Sequence, residues 1–306
     1  MNLRTKAAVA KRFLELIDRT LLSSKDIETY RSHCNSLERR LRRCFTTNKI
    51  QPIGSSSRGT SVRNVSDIDL MLVLNVNEVR WRGRWISSHT VLKNVREKLL
   101  GRYTTTEVNR DGEAIVVNFA DGIYPVDIVP AVYTHSAPVK LNSTEVENYP
   151  VFRIPDGEGG WMLTSPFAHT KYLNLQNRRC GRKLYSVVRL LKFWCSTRNP
   201  RIPLNSFHVE LLLASRGICI GAKTYGQCLY DAFADLDSRE CRALQDPISI
   251  SGLVKASGTD PKKVRAQDAI SSSLRHAASA LDAEDAGDTL EALRQWNIVF
   301  NHQFPK

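Results

Sequence analysis

The stretch that most constrains this chain is GSSSRGTSVRNVSDIDLMLVL, residues 54–74, because it joins a small-residue turn to a strand that has to be buried. Gly54-Ser55-Ser56-Ser57 supplies one residue without a side chain and three hydroxyls, a composition that lets backbone N–H groups approach a phosphate closely. Leu70-Met71-Leu72-Val73-Leu74 is too apolar and too β-prone for a loop. Asp67-Ile68-Asp69 opens that strand. Residues two apart on a strand face the same side, so Asp67 and Asp69 project together while Ile68 turns into the core. Like charges at that spacing repel unless a cation sits between them, and Mg²⁺ takes carboxylate oxygens together with substrate phosphates. The competing reading is a solvated acidic pair at a strand end; the Gly-Ser turn ahead of it favours the cation.

A second oddity appears in Tyr124-Pro125-Val126-Asp127-Ile128-Val129-Pro130, where one carboxylate sits in an otherwise apolar strand. A lone buried Asp is costly unless it is paired or ligates a metal, so Asp127 is expected beside Asp67 and Asp69. Asp111-Gly112 and Asp121-Gly122 separate strand-like pieces at Tyr103 to Val108, Glu113 to Phe119 and Ile123 to Val132, the pattern of an antiparallel meander. From Thr134 to Pro166 periodicity is lost, and the spacing predicts a long crossover loop.

Helices flank this region on both sides. Leu3 to Leu22 is amphipathic; a second helix, capped by Ser24 or Asp26, runs to Phe45 and ends in Arg39, Arg40, Arg42 and Arg43. That cluster is either a solvated face favoured by the helix dipole or a phosphate-binding surface. A further helix is expected from Ser88 to Arg102, and Arg80-Trp81-Arg82-Gly83-Arg84-Trp85 precedes it. Two indoles among three guanidinium groups suit either base stacking or packing of Trp beneath Arg stems. Beyond Lys171 helices dominate, with Lys183 to Ser196 apolar enough to be a buried spine, then Tyr225 to Ala243, Pro261 to Ala286 and Thr289 to Phe300. Lys192 is the exception on that spine, either snorkelling at the helix edge or clamping phosphate; Ser206 or Asn205 caps the next helix, and His208 reads as a packed histidine.

The formal charge of +13 suits polyanionic partners. Seven scattered cysteines without a C-x-x-C pair argue for reduced thiols in the cytoplasm and against a zinc ribbon. No apolar run reaches membrane-spanning length, and the charged first helix lacks a signal-peptide pattern.

Gly54-Ser55, Asp67-X-Asp69 and the later Asp127 together resemble the active-site signature of the polymerase-β-like nucleotidyltransferase superfamily. Arg189-Leu190-Leu191-Lys192-Phe193-Trp194, Ser206-Phe207-His208-Val209-Glu210 and the segment Trp296 to Phe304 are similar to a narrower branch. That branch holds the bacterial cGAS/DncV-like nucleotidyltransferases (CD-NTases), the animal DNA sensor cGAS and the oligoadenylate synthases. The resemblance implies a bilobal α+β fold: a nucleotidyltransferase mixed sheet with the N-terminal helices over residues 1–165, and a helical substrate-binding lobe over 166–306.

It further implies that Asp67, Asp69 and Asp127 hold two Mg²⁺ ions. Gly54 and Ser55 would grip a donor triphosphate, Lys192 and Ser206 would hold its phosphates, and Phe207 would stack on a base. The implied activity is template-independent synthesis of a cyclic or short linear oligonucleotide second messenger from ATP and other NTPs, in antiphage defence, with an effector that meets only the product. An activating nucleic acid on a basic face is a further expected partner; a membrane is not. The absence of a Cys/His insertion removes the zinc device of the animal sensor, and the ending Phe304-Pro305-Lys306 speaks against attachment through the C-terminus. The alternatives are an RNA-tailing transferase of the poly(A) or CCA-adding kind and a non-catalytic nucleic-acid-binding module.

Overall fold

Amphipathic spacing at the start of the chain forms α1 (Leu3–Thr20), with Phe13, Leu16 and Ile17 on its buried face. Ser23 caps α2 (Ser24–Cys44), one residue ahead of the expected positions: its Oγ accepts from Asp26 N at 3.2 Å, and Asp26 Oδ2 accepts from Ser23 N at 2.7 Å. This computed structural model describes residues 2–100, 107–142 and 145–305. The chain divides into a helical unit of Met1–Leu21, Leu173–Pro247 and Leu253–Lys306, and a sheet unit of Leu22–Tyr172 and Ile248–Gly252. The first helix therefore groups with the helical half, away from the boundary expected at residue 165.

The sheet unit is built from α2, β1 (Thr47–Ile53), the short α3 (Gly54–Arg58), β2 (Ile68–Leu74), a hairpin of β3 (Arg80–Trp81) and β4 (Arg84–Trp85), α4 (Ser88–Leu100), β5 (Glu107–Asp111), β6 (Ala114–Asn118), β7 (Val126–Lys140), β8 (Val146–Pro155) and β9 (Trp161–Thr164); α5 (Pro166–Arg179) begins in it and passes into the helical unit at Leu173. Residues 101–102 of the expected helix and residues 103–106 of the expected strand lie outside the described residues. The strand order is β1-β2-β7-β6-β5, all antiparallel except the β2–β7 pair. Strands buried on both faces are expected at the parallel centre of a sheet, and the continuous apolar run of β2 meets that condition. Ile68, Leu70, Leu72, Val126 and Ile128 pack on one face with Leu37 and Leu41 of α2 and Val91, Leu92 and Val95 of α4. Met71, Val73, Val129 and Ala131 pack on the other face with Phe152 and Ile154 of β8.

The segment expected to be a crossover loop is instead stranded. β7 runs on to Lys140 and pairs with β8, which pairs with β9. Residues 133–138 of β7 are exposed or half-buried, so no face there carries the alternating apolar signal by which strands are read from sequence.

The helical unit continues with α6 (Leu184–Ser196), α7 (Ser206–Ser215), α8 (Tyr225–Ser238), a small β10 (Leu244–Gln245) to β11 (Leu253–Val254) pair, α9 (Asp260–Ala286) and α10 (Thr289–Val299). α8 stops short of Ala243 because Glu240 and Cys241 adopt left-handed φ values of 49° and 51°. The aromatic core joins both ends of the chain: Phe13 of α1 meets Trp296 edge-on at 5.0 Å and Phe304 at 4.9 Å. Trp296 Nε1 donates to Glu284 at 3.0 Å, so its polar atom is satisfied inside the core. No helix among the described residues is long and apolar enough to cross a membrane.

Gly226, at the start of α8, lets this core close, since a Cβ there would stand 2.8 Å from Trp296 Cζ2. Gly226→Ala is expected to destabilise by about 1–3 kcal/mol through overpacking. A lowered thermal midpoint, set against an unchanged one for Gly258→Ala, where the nearest atom is 3.8 Å away, checks this.

Candidate active site

Strand β1 delivers the chain to the carboxylates. Its last residue, Ile53, is the ladder partner of Asp69, and the next residue, Gly54, turns the chain with φ +65°. A Cβ on Gly54 would lie 1.9 Å from Asp69 Oδ2, so glycine is required both by conformation and by the carboxylate against it. Asp69 is in turn the register partner of Asp127 across the parallel β2–β7 ladder, where strands lie about 4.8 Å apart. Both share a sheet face with Met71 and Val129, opposite the face that α2 and α4 cover. Asp67 sits exposed just before β2, and Ile68 between the two aspartates is buried.

The Gly-Ser stretch is a short helix, where the sequence suggested a plain turn. Ser56 Oγ donates to Ile53 O at 3.0 Å and Ser57 Oγ to Gly54 O at 2.9 Å, which ties two hydroxyls to the helix itself. Ser55 differs: its Oγ meets Ser61 Oγ at 3.2 Å. Gly59, at φ 76°, closes the helix in the left-handed conformation. The loop that follows is held in place by Val62 N donating to Ser66 Oγ at 2.9 Å and by Arg63 on Asp26 at 3.0 Å.

Tyr30 of α2 is a participant that the sequence did not single out. Its hydroxyl donates to Ser66 O at 3.2 Å, and its ring meets Tyr124 edge-on at 4.7 Å. Burial above all, then the neighbouring Tyr124, Asp67 and Asp69, hold its pKa above the ordinary phenol value, against an opposing bond with Ser61. Tyr30 therefore stays protonated at neutral pH beside two carboxylates. An aromatic hydroxyl at a helix position facing the Gly-Ser segment is too common a feature for sequence to single out.

Among the described residues no three His, Cys, Asp or Glu side chains form a ready-made metal-binding group. The fold supplies hard oxygen donors on adjacent strands beside a small-residue helix start. Mg²⁺ takes one or two carboxylates plus substrate phosphates and keeps several waters, so this donor set fits an ion that enters with a triphosphate.

Lys192, Ser206 and Phe207 belong to the helical unit, and the five residues from Gly54 to Asp127 to the sheet unit. Lys192 of α6 neither snorkels nor lies open: it is 4% exposed, and its Nζ stands 2.5 Å from Glu210 Oε1 of α7, itself 1% exposed. Ser206 is the first residue of α7, and the cap is Asn205, whose Oδ1 accepts from Phe207 N at 2.9 Å and His208 N at 3.3 Å. Two N–H groups at the start of α7 are thus already bonded and do not face an anion. Phe207 is half-buried. His208 is packed, with Nε2 at 3.2 Å from Arg242 O, and burial lowers its pKa. In the arginine cluster, Arg39 Nε donates to Asn35 O, Arg40 donates twice to Lys98 O at the end of α4 and Arg42 pairs with Glu38, so three of the four serve local structure.

Residues 8–177 match a family model described as the Second Messenger Oligonucleotide or Dinucleotide Synthetase domain. A probable cyclic nucleotide synthase of Bacillus cereus (strain VD146) is 24% identical over 290 residues, covering 85% of this chain and 83% of the relative. The cyclic AMP-AMP-AMP synthase of Escherichia coli (strain MS 115-1) is 24% identical over 204 residues, covering 65% of this chain and 59% of that enzyme, less than two thirds of its length. Among solved structures, E. coli MS115-1 CdnC with ATP shares the fold, with a TM-score of 0.70 at 20% identity over 98% of each chain.

Two substitutions separate the roles of these residues. Gly54→Ala is expected to displace the Asp69 carboxylate and lower nucleotide turnover by about 100-fold, the effect of misplacing a reacting group by about 1 Å, and, through the left-handed backbone, to destabilise by about 1 kcal/mol, both read from pyrophosphate release and denaturant unfolding. Lys192→Met leaves Glu210 buried without its lysine and is expected to destabilise by about 3–5 kcal/mol, measured by denaturant unfolding.

Proposed function

We propose that this chain, which belongs to the Second Messenger Oligonucleotide or Dinucleotide Synthetase family, joins nucleoside triphosphates into a cyclic or short linear oligonucleotide with release of pyrophosphate. It is a nucleotidyltransferase. The observation that carries the chemistry is the register of Asp69 with Asp127 on parallel strands, with Gly54 closed against Asp69. Side-by-side carboxylates beside a small-residue helix start form a place for a triphosphate and its cations.

In this reading the N–H groups and Ser55 hydroxyl of α3 hold the donor triphosphate. Asp67, Asp69 and Asp127 would hold two Mg²⁺ ions, which when bound supply charge neutralisation at the phosphates and acidify a ribose hydroxyl. Asp127, a buried-strand neighbour of Asp69, accepts the proton of the attacking hydroxyl at its carboxylate. Tyr30, kept protonated, adds no charge beside Asp67 and Asp69, and through Ser66 it steadies the loop that carries Asp67. Phe207 stacks on a base, and Ser206 contacts phosphate from the helical unit. Lys192 serves the same phosphates only after its ammonium leaves Glu210. The E. coli relative, a cyclic AMP-AMP-AMP synthase, supports ATP as a substrate. A product of this kind would act in the cytoplasm, as a signal to an effector in antiphage defence.

Incubation of the purified protein with all four NTPs and Mg²⁺ is expected to release pyrophosphate and yield a phosphatase-resistant cyclic product by mass spectrometry. Chelation of the metal, Asp69→Asn or Asp127→Asn should each lower the rate by at least about 1,000-fold, as loss of transition-state charge stabilisation does. Label that enters added RNA, in proportion to the RNA, would instead establish the tailing activity.

A further inference from the structure

The Arg80–Trp85 segment lies outside the site described above. It forms a regular two-stranded hairpin in which Arg80 pairs with Trp85 and Trp81 with Arg84. Arg82 and Gly83 both have positive φ, 49° and 78°, the backbone of a type I′ turn, which matches the twist of a hairpin. The two indoles have different fates. Trp85 is engaged: the Arg80 guanidinium lies 4.7 Å from its ring centroid, that of Arg153 lies 4.9 Å away, and Trp161 meets it at 5.7 Å. Trp161 Nε1 donates to Ile86 O at 3.1 Å, which anchors the base of the hairpin to β9. Trp81 is 70% exposed, and Arg82 stands 5.9 Å from its centroid.

A tryptophan left open at the tip of a hairpin forgoes about 1.5–3 kcal/mol of burial, the scale for a large apolar side chain, so its presentation calls for a ligand. Arg80, Arg82 and Arg84 are exposed with it. No carboxylate among the described residues lies within ion-pair distance of these three arginines, so their charge is available to an external anion. Beyond Trp85 the basic character continues: His89, Lys93 and Arg96 of α4, with Asn109 of β5, line an open recess of about 520 Å³. Glu97 is the acidic neighbour there, 3.8 Å from Lys93.

We infer that the β3–β4 hairpin is a docking platform for single-stranded nucleic acid, with a base stacked on Trp81 and flanking phosphates on Arg82 and Arg84. An unstacked base supplies the flat face that an open indole accepts, and a phosphate chain supplies charges at intervals that exposed arginines neutralise. A duplex hides its base faces, and an acidic peptide has no ring to stack, so neither uses the indole. The hairpin is a sheet of its own and shares no strand with the β2–β7 ladder that carries Asp69 and Asp127.

The test is fluorescence anisotropy of labelled RNA and DNA strands of about 12 nucleotides, a length within the usual single-strand site range, against a blunt duplex. The protein is expected to bind the single strands more tightly than the duplex, with quenching of tryptophan fluorescence. Trp81→Ala should weaken single-strand binding by about tenfold and abolish most of the quenching, while Trp81→Phe keeps most of the affinity. Arg82→Ala with Arg84→Ala should flatten the dependence of log affinity on log salt by about 0.7 for each phosphate that is no longer neutralised. All variants should keep the wild-type unfolding midpoint and, without nucleic acid, wild-type pyrophosphate release. Equal binding by the wild type and Trp81→Ala, equal affinity for the duplex, competition by polyglutamate as effective as by RNA, or no binding at low salt would each overturn the assignment.

Discussion

The parallel pairing of β2 with β7 is the constraint from which the remaining geometry follows, because it holds two carboxylates side by side in a strand pair that cannot slide. Asp69 and Asp127 are direct ladder partners. At a separation of about 5 Å and an effective dielectric near 20, two such charges repel by about 3 kcal/mol. A one-residue slip of either strand would relieve the repulsion, but it would turn every side chain to the opposite face. Ile68, Leu70 and Leu72 would then leave the core under α2 and α4, and Met71 and Val73 would leave the core under β8. Burial on both faces thus fixes the register against the electrostatic cost, and a bound cation removes that cost.

The same strand pair explains why a five-residue helix is sited where it is. β1 pairs with β2 up to Ile53 opposite Asp69, so the next residue necessarily emerges at the carboxylate. Only a residue without Cβ fits there, and only a short element can turn away before the loop returns to Asp67. α2 completes the support from behind. Asp26, the capping-box partner in its first turn, holds Arg63, and Tyr30, one turn further along the helix, reaches Ser66, so a single helix fastens both halves of the loop between α3 and β2.

The parts of this arrangement visible in the sequence are those written in contiguous residues. Asp67-Ile68-Asp69 ahead of an apolar run, and Asp127 inside another, announce themselves by a charge where the strand pattern forbids one. The Asp111-Gly112 and Asp121-Gly122 turns mark the joints of the meander, and the pairing of β5 with β6 and of β6 with β7 follows them. What escapes is pairing across distance or without alternation. The outer half of β7 and its neighbour β9 carry too little burial to show a period, and in β8 the buried residues cluster at its end without alternating. Lys192 stands out as a lone cation on an apolar helix, yet its partner Glu210 lies 18 residues away on another helix, where charge on a nearly continuous apolar run gives no hint of direction. Tyr30 is invisible for the opposite reason, since its residue type suits an ordinary core position.

Net charge illustrates the same limit from another side. A formal +13 says that cations outnumber anions, and it assigns no cation a task. In the folded chain many of the positive groups are already spoken for: Lys192 by Glu210, Lys171 by Glu145 and Glu147, Arg63 by Asp26, Arg40 by the Lys98 carbonyl near the end of α4. Those paired with carboxylates contribute little to an external field, because each is compensated within a few ångströms, while Arg40 keeps its charge but is held in place by a neutral carbonyl. The excess that a polyanion can use is the remainder, and what distinguishes one part of that remainder from a merely soluble surface is a neighbour of a different kind. An arginine beside other arginines is hydrated and mobile, whereas an arginine held on a type I′ hairpin beside an open indole is positioned in two dimensions, one set by charge and one by a flat apolar face. Charge attracts any anion; only the pairing of charge with a ring selects for one that carries rings of its own.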